Sequence, residues 1–282
     1  MGAPLFRPEQ LHVSVSQVKA WLRCPRAFEF RYVQGLTPEF KPVPLAFGSA
    51  VHEALAAYYA GLMNQKPLAL EEVTQSFRDA WALEAAGPVP LHLGEDDEPE
   101  HHVDKGVLML TMFYRDATSA EHVVIKSIES SFEVALYHPE TGEVLEESLV
   151  GVFDLVIEED GHVVILEHKT AGKKWTQAQF TEDLQPSAYS LAAQELGWGE
   201  VGIRYQVLTK TKKPALQIEN VIRGPVEERD FLSTAVGVLK AIDGGVSFPI
   251  RSWACKSCPY KTACDKASRP SRSGQSLTLA IL

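Results

Sequence analysis

No apolar run in the 282-residue sequence approaches the roughly 18 residues that a membrane-spanning helix requires. The opening MGAPLFRPEQ lacks the apolar core of a secretory signal, and Phe6 stands where an N-myristoylation motif needs Ser or Thr. A soluble, cytoplasmic protein with no membrane partner is the expectation. Cysteine is scarce: there are four, and without a mark of secretion disulfides are disfavoured. Basic residues are in deficit, 27 against 37 acidic ones, for a formal charge of −10, so any polyanion-binding face must come from local clusters. There is no internal repeat and no G-x-x-x-x-G-K-[ST], a motif that TAGKKW does not supply. That excludes a P-loop motor within this chain. The composition, 45% hydrophobic, is enough for one large domain or a domain with an insert.

What is present is most informative between residues 149 and 172, LVGVFDLVIEEDGHVVILEHKTAG. Two apolar runs flank Asp160-Gly161, the strongest short-range hairpin signal, and a two-residue loop fixes the register. Glu159 then faces His162, Val156 faces Ile165, Leu155 faces Leu166, and continuing the count places Asp154 opposite Glu167. Their Cβ atoms should lie about 4.5–5.5 Å apart. Like charges so placed, in strands apolar on both faces and therefore covered by helices on both sides, are destabilising unless a cation sits between them. Lys169 projects from the same face as Glu167, while His168 points away and offers mainly its carbonyl. Such a set suits a hard divalent ion, Mg²⁺ or Mn²⁺, which activates water and polarises a phosphoryl oxygen while a lysine balances charge. The plainer alternative is a solvent-facing carboxylate pair with a salt-bridging lysine.

The order Gly151-x-x-Asp154, then Glu167-x-Lys169, resembles the core of the PD-(D/E)XK nuclease superfamily. Three further stretches resemble its RecB-like branch: FGSAVHEALAAYY (47–59), with His52; DLQPSAYSLAAQEL (183–196), with Gln185 and Tyr189 one turn apart; and SVSQVKAWLRCPRAFEFRYVQGL (14–36). Ser49 is expected to cap the first of these helices, placing His52 in its first turn. The resemblance implies that His52, Asp154, Glu167 and the His168 carbonyl hold Mg²⁺ or Mn²⁺. It implies in-line attack of a metal-bound water on phosphorus, assisted by Lys169. Gln185 and Tyr189 would position the DNA backbone or the nucleophile.

The cysteines are Cys24 and then Cys255, Cys258 and Cys264, a C-x2-C-x5-C knuckle about 230 residues downstream. That split argues against a local zinc finger. It is similar to the RecB-like nucleases with an iron–sulfur cluster, including AddB-type subunits and the CRISPR-associated RecB-like exonucleases, and so implies a [4Fe–4S] staple. Zn²⁺ on the same four cysteines, or unligated or disulfide-paired thiols, are the competing readings.

Basic residues gather at Arg23, Arg26 and Arg31, at Lys173 and Lys174, and at Lys210, Lys212 and Lys213, where they could grip phosphates or be solvated turns. Acid concentrates in GEDDEPEHHVD (94–104), expected to be a polar linker whose His101 and His102 are solvated loop residues. The path predicts one nuclease domain over 1–282 with an α/β, restriction-endonuclease-like fold, a mixed central sheet flanked by helices. Within it lie N-terminal helices (14–62), a mainly helical insert (63–121), the catalytic core (122–245), the cysteine knuckle (250–266) and a flexible tail (267–282). Together these readings describe a DNA exonuclease on single-stranded or frayed ends, with a helicase or CRISPR-adaptation protein as the partner in question. The rivals are a non-catalytic scaffold subunit and a structure-specific or RNA-directed endonuclease.

Overall fold

The computed structural model describes residues 12–94, 97–117 and 123–268. The opening decapeptide and the expected tail, from residue 269 onward, lie outside the described residues. Strand β1 (His12–Ser14) runs straight into α1 (Val15–Arg23), whose start is set by a reciprocal cap. The Ser14 hydroxyl accepts the Gln17 N–H at 3.2 Å and the Gln17 side chain accepts the Ser14 N–H at 2.8 Å. Pro25 restarts the chain as α2 (Pro25–Phe28), which widens into a π-helical turn at Glu29–Val33, so the N-terminal helical segment breaks at Cys24.

Next comes a short parallel ribbon of β2 (Lys41–Pro42) and β3 (Leu91–His92), around α3 (Val43–Met63) and α4 (Leu70–Ala85). Helix α3 begins earlier than the sequence suggests. Val43, Ala46 and Phe47 are buried, Pro44 is tolerated in the first turn because it needs no hydrogen bond there, and Ser49 donates to the Leu45 carbonyl at 3.2 Å instead of capping. His52 is therefore a mid-helix residue. The acidic stretch is also corrected, since from Pro99 it belongs to α5 (Pro99–Ala117). His102 is no solvated loop residue: it bonds Asp97 at 2.8 Å and packs beside Phe47 and Trp81, whereas His101 is exposed.

The sheet is built from β1, β4 (Val124–Tyr137), β5 (Val144–Glu159), β6 (His162–Ala171), β7 (Gly202–Thr209) and β8 (Leu216–Val221). Its order is β1-β5-β6-β7-β8, with β4 along the other edge of β5. The β1–β5 and β6–β7 pairs are parallel and the others antiparallel, the mixed sheet that the α/β reading requires. Asp160 and Gly161 turn with φ of +51° and +77°, the left-handed pair of a tight hairpin, and fix the β5–β6 register as the sequence predicts. Between β6 and β7 the chain crosses over through α6 (Gln177–Glu182) and α7 (Gln185–Glu195). After β8 come α8 (Pro225–Asp243), a 3₁₀ turn at Trp253–Ser257 and α9 (Lys261–Ala267).

Both faces of β5 and β6 are covered, which explains why these strands are almost wholly apolar. Leu155, Ile157, Val164 and Leu166 pack under α3, α4 and α5. Phe153, Val156 and Ile165 pack on the opposite face under α1, α7 and α8. Gly151 has a packing reason of its own, because a Cβ there would stand 2.4 Å from Cζ of the buried Phe132 ring. Among the described residues no helix is long and apolar enough to cross a membrane.

Candidate active site

The β5–β6 ladder runs from Glu159↔His162 to Leu155↔Leu166, and there the strands part. Asp154 does not continue it opposite Glu167. Its carboxylate takes over instead, Oδ2 accepting the His168 N–H at 2.8 Å, so a side chain satisfies a donor left over where the ladder ends. Asp154, Glu167 and His168 are all buried at this opening.

Alternation along β6 sends its three polar residues to opposite faces. Glu167 and Lys169 face α7. The Lys169 ammonium pairs with Glu167 Oε1 and donates to Gln185 Oε1 at 2.9 Å. Glu167 Oε2 meets Gln185 Nε2 at 3.0 Å and the Tyr189 hydroxyl at 2.5 Å, while Gln185 Nε2 also reaches that hydroxyl at 2.7 Å. Tyr189 lies 2.8 Å from the Val152 carbonyl as well, closing the network onto β5. His168 turns its ring the other way, against Tyr59 of α3. Its carbonyl stays at the opening, 3.1 Å from His52 Nε2. The other His52 nitrogen, Nδ1, lies 3.5 Å from Glu129 Oε1 and 3.6 Å from Asp154 Oδ1.

The electrostatics divide the two carboxylates. Burial pushes the Asp154 carboxyl up, but His52, the His168 imidazole and Lys169 outweigh it and hold its pKa below the ordinary value. Burial and the Asp154 charge together raise Glu167, against Lys169 and Tyr189. Burial opposes a charged His52, yet Asp154, Glu129 and Glu167 lift it to about 9. Burial likewise disfavours the Lys169 ammonium, and Glu167 and Asp154 reverse that and raise it. The structure thus packs negative charge around one opening and answers it with whatever cations are at hand. Its donors, carboxylate and carbonyl oxygens with one imidazole, fit a hard divalent ion.

Two features escape the sequence. Glu129 of β4 stands beside His52 and Asp154, and these three are, among the described residues, the trio of donor atoms lying within 4.8 Å of one another. Asp183 sets the start of α7: its Oδ1 accepts the Gln185 N–H at 2.9 Å and Lys19 of α1 at 2.5 Å. Only the register of β4 or the docking of α1 could have revealed them.

The basic clusters fall unequally. The β6–β7 ladder ends at Ala171↔Thr209, just beyond Lys169, and the Lys210 N–H donates to the Ala171 carbonyl at 2.7 Å. Exposed Lys173, Lys174, Lys212 and Lys213 therefore leave the sheet at the active-site end, and Lys210 lies 5.0 Å from the Phe47 ring centroid. Arg23 is exposed on α1, and Arg31 stacks over Tyr32. Arg26 is committed elsewhere, to the Ser247 carbonyl at 3.2 Å and to Glu29 at 3.5 Å.

All four cysteines line one small cavity, although Cys24 is so far from the others in sequence. The link is backbone-deep, since the Arg26 N–H donates to the Phe248 carbonyl at 3.1 Å and the Glu39 N–H to the Pro259 carbonyl at 3.0 Å. Burial raises the Cys258 thiol, and Cys24, Cys255 and Cys264 push the same way, so four thiolates could share this space only around a cation.

A mixed sheet flanked by helices, with an opened strand pair carrying aspartate, glutamate and lysine beside a helix histidine, is the core of the restriction-endonuclease-like class, and its donors could hold a divalent ion. The chain belongs to the PD-(D/E)XK nuclease superfamily, whose family model matches residues 12–265. The crystal structure of a candidate exonuclease from Eubacterium rectale shares the fold at a TM-score of 0.56 and 13% identity, over 94% of this chain and 91% of that one. A second solved structure, SSO0001, is similar at a TM-score of 0.45 and 13% identity, over 92% of this chain and 87% of that one. No curated protein matches the sequence.

Proposed function

We propose that the protein is a divalent-metal-dependent DNA nuclease, acting as an exonuclease on single-stranded or frayed ends and carrying a structural [4Fe–4S] cluster. The observation that carries this reading is the meeting of His52, Asp154, Glu167 and Lys169 at one opened strand end, within a chain of this superfamily. His52, Asp154 and Glu167 would hold Mg²⁺ or Mn²⁺, and the His168 carbonyl, here 3.1 Å from His52 Nε2, would join them once that contact opens. When bound, such an ion lowers the pKa of water and neutralises charge on the phosphoryl oxygens. Gln185 fixes the Lys169 ammonium where charge builds on the phosphate, and Tyr189 holds Glu167 in place from behind. The lysines leaving the same sheet end supply local positive charge despite the net −10.

The four cysteines that line one cavity could hold a cluster or zinc, and the separation of Cys24 in sequence from the other three is what supports the cluster. The Ser252 N–H directed at Cys255 Sγ, at 3.5 Å, is the kind of donor that supports a bound thiolate.

The test is cleavage of single-stranded and duplex DNA labelled at either end, with Mg²⁺ or Mn²⁺, comparing wild type with Lys169→Ala. Progressive shortening that disappears in the variant supports the reading and gives the polarity. If both proteins leave DNA and RNA intact, a scaffold role in a larger complex replaces it. Internal cuts at junctions or flaps would make it a structure-specific endonuclease.

A further inference from the structure

We infer that Glu129 is a direct carboxylate ligand of the divalent ion, beside His52 and Asp154. This rests on the metal-nuclease reading and goes beyond it, because the Asp and Glu-x-Lys pattern contains no such residue. Counting along the β4–β5 ladder from Leu155↔Ile128 and Phe153↔Ser130 puts Glu129 directly across from Asp154, the one position between them that the pairing skips. There Glu129 has φ +45°, a conformation costly for a residue with a Cβ, and its side chain turns to His52.

The distances describe the gap. From His52 Nδ1, 3.5 Å to Glu129 Oε1 and 3.6 Å to Asp154 Oδ1 are long for charge-assisted hydrogen bonds, which close to about 2.7–2.9 Å. Bonds of about 2.1 Å in octahedral geometry set neighbouring ligands about 3.0 Å apart, so an ion on the Nδ1 side of His52 would draw both carboxylates in by about half an ångström. Glu167, by contrast, has both oxygens engaged, by Lys169 on one side and by Gln185 and Tyr189 on the other. Glu129 has the freer carboxylate: its side chain is 41% exposed, open to the solvent from which an ion arrives. A third carboxylate strengthens a hard-ion site and makes it less dependent on Glu167 letting go of its lysine.

The experiment titrates Mn²⁺ alone into protein freed of divalent ions with its cysteine-bound cluster retained, and follows the free-ion electron paramagnetic resonance signal, for wild type, Glu129→Gln, Asp154→Asn and, as a control on the same strand, Glu133→Gln. Glu129→Gln is expected to weaken Mn²⁺ binding tenfold or more, since even groups that merely orient a ligand are worth about 10–100-fold. Glu133→Gln should match wild type. Glu129→Gln binding as wild type does, while Asp154→Asn loses the ion, overturns the inference and leaves the nuclease reading standing. Wild type that binds no Mn²⁺ removes both. Should Glu129→Gln unfold, Glu129→Gly, which suits the left-handed backbone, decides the matter by the same titration.

Discussion

Lys19 Nζ stands 2.5 Å from Asp183 Oδ1, and the same oxygen takes the Gln185 N–H at 2.9 Å. One carboxylate thus fastens a helix from the start of the chain to the first residue of α7. Burial disfavours the Asp183 charge, but Lys19 and the Gln185 N–H prevail and hold its pKa below the ordinary value. A carboxyl whose folded pKa is depressed adds stability above its unfolded pKa, about 3.9, and loses it as pH falls through the folded value. The stability gap between wild type and Asp183→Asn, read from urea midpoints, should hold steady from neutral pH to about pH 5. Below about pH 4 it should narrow. A gap as wide at pH 3 as at pH 7 would show that Asp183 acts through shape alone.

Tyr189 has one hydroxyl proton and three neighbours, Glu167, Gln185 and the Val152 carbonyl. Since Gln185 donates to it, that proton goes to Glu167 or to Val152, and without the hydroxyl neither acceptor has it. Tyr189→Phe leaves buried acceptors short of a donor. It should cost about 1–3 kcal/mol of stability. Activity should fall by about tenfold or more through a slackened Glu167. Thermal unfolding and single-turnover cleavage measure the two effects. Unchanged stability would mean that water replaces the hydroxyl.

How far the sequence shows this site depends on the kind of order involved. Asp160-Gly161 and the apolar runs around it carry their own register, so the β5–β6 hairpin is legible from end to end. The pattern cannot show that the ladder stops at Leu155↔Leu166, because that reflects a hydrogen bond from His168 to the Asp154 side chain. Ser49 misleads in the same way: it reads as a cap, yet buried Phe47 and Ala46 extend α3 past it. Glu129 is hidden for a topological reason. The β4–β5 register contains two irregularities, between Ile125 and Ser127 and between Ala135 and Tyr137, so counting from the turn fails.

Cys24 lies after α1, while its three companions follow the sheet and α8. If a cluster ties these ends, its loss should loosen the first helices as well as the knuckle. Protein purified without oxygen should be brown, with iron and sulfide bound, and Cys24→Ser should lose the colour and unfold at lower temperature. Stoichiometric zinc without iron would replace the cluster by zinc. A colourless but fully stable Cys24→Ser would deny the staple.

Lys173, Lys174 and Lys212 are exposed at the end of the sheet where β6 and β7 finish, beyond Lys169. Their charge acts on the phosphate backbone and not on the bond being cut, so replacing all three by Ala should raise KM for DNA and leave kcat nearly unchanged. Each lost contact to single-stranded DNA should also flatten the dependence of log affinity on log salt by about 0.7. Binding is best measured in a Lys169→Ala background, so that cleavage does not consume the ligand. If the salt slope stays that of the parent, the lysines are solvated turn residues and the DNA must approach along another face, with exposed Arg23 the next to replace.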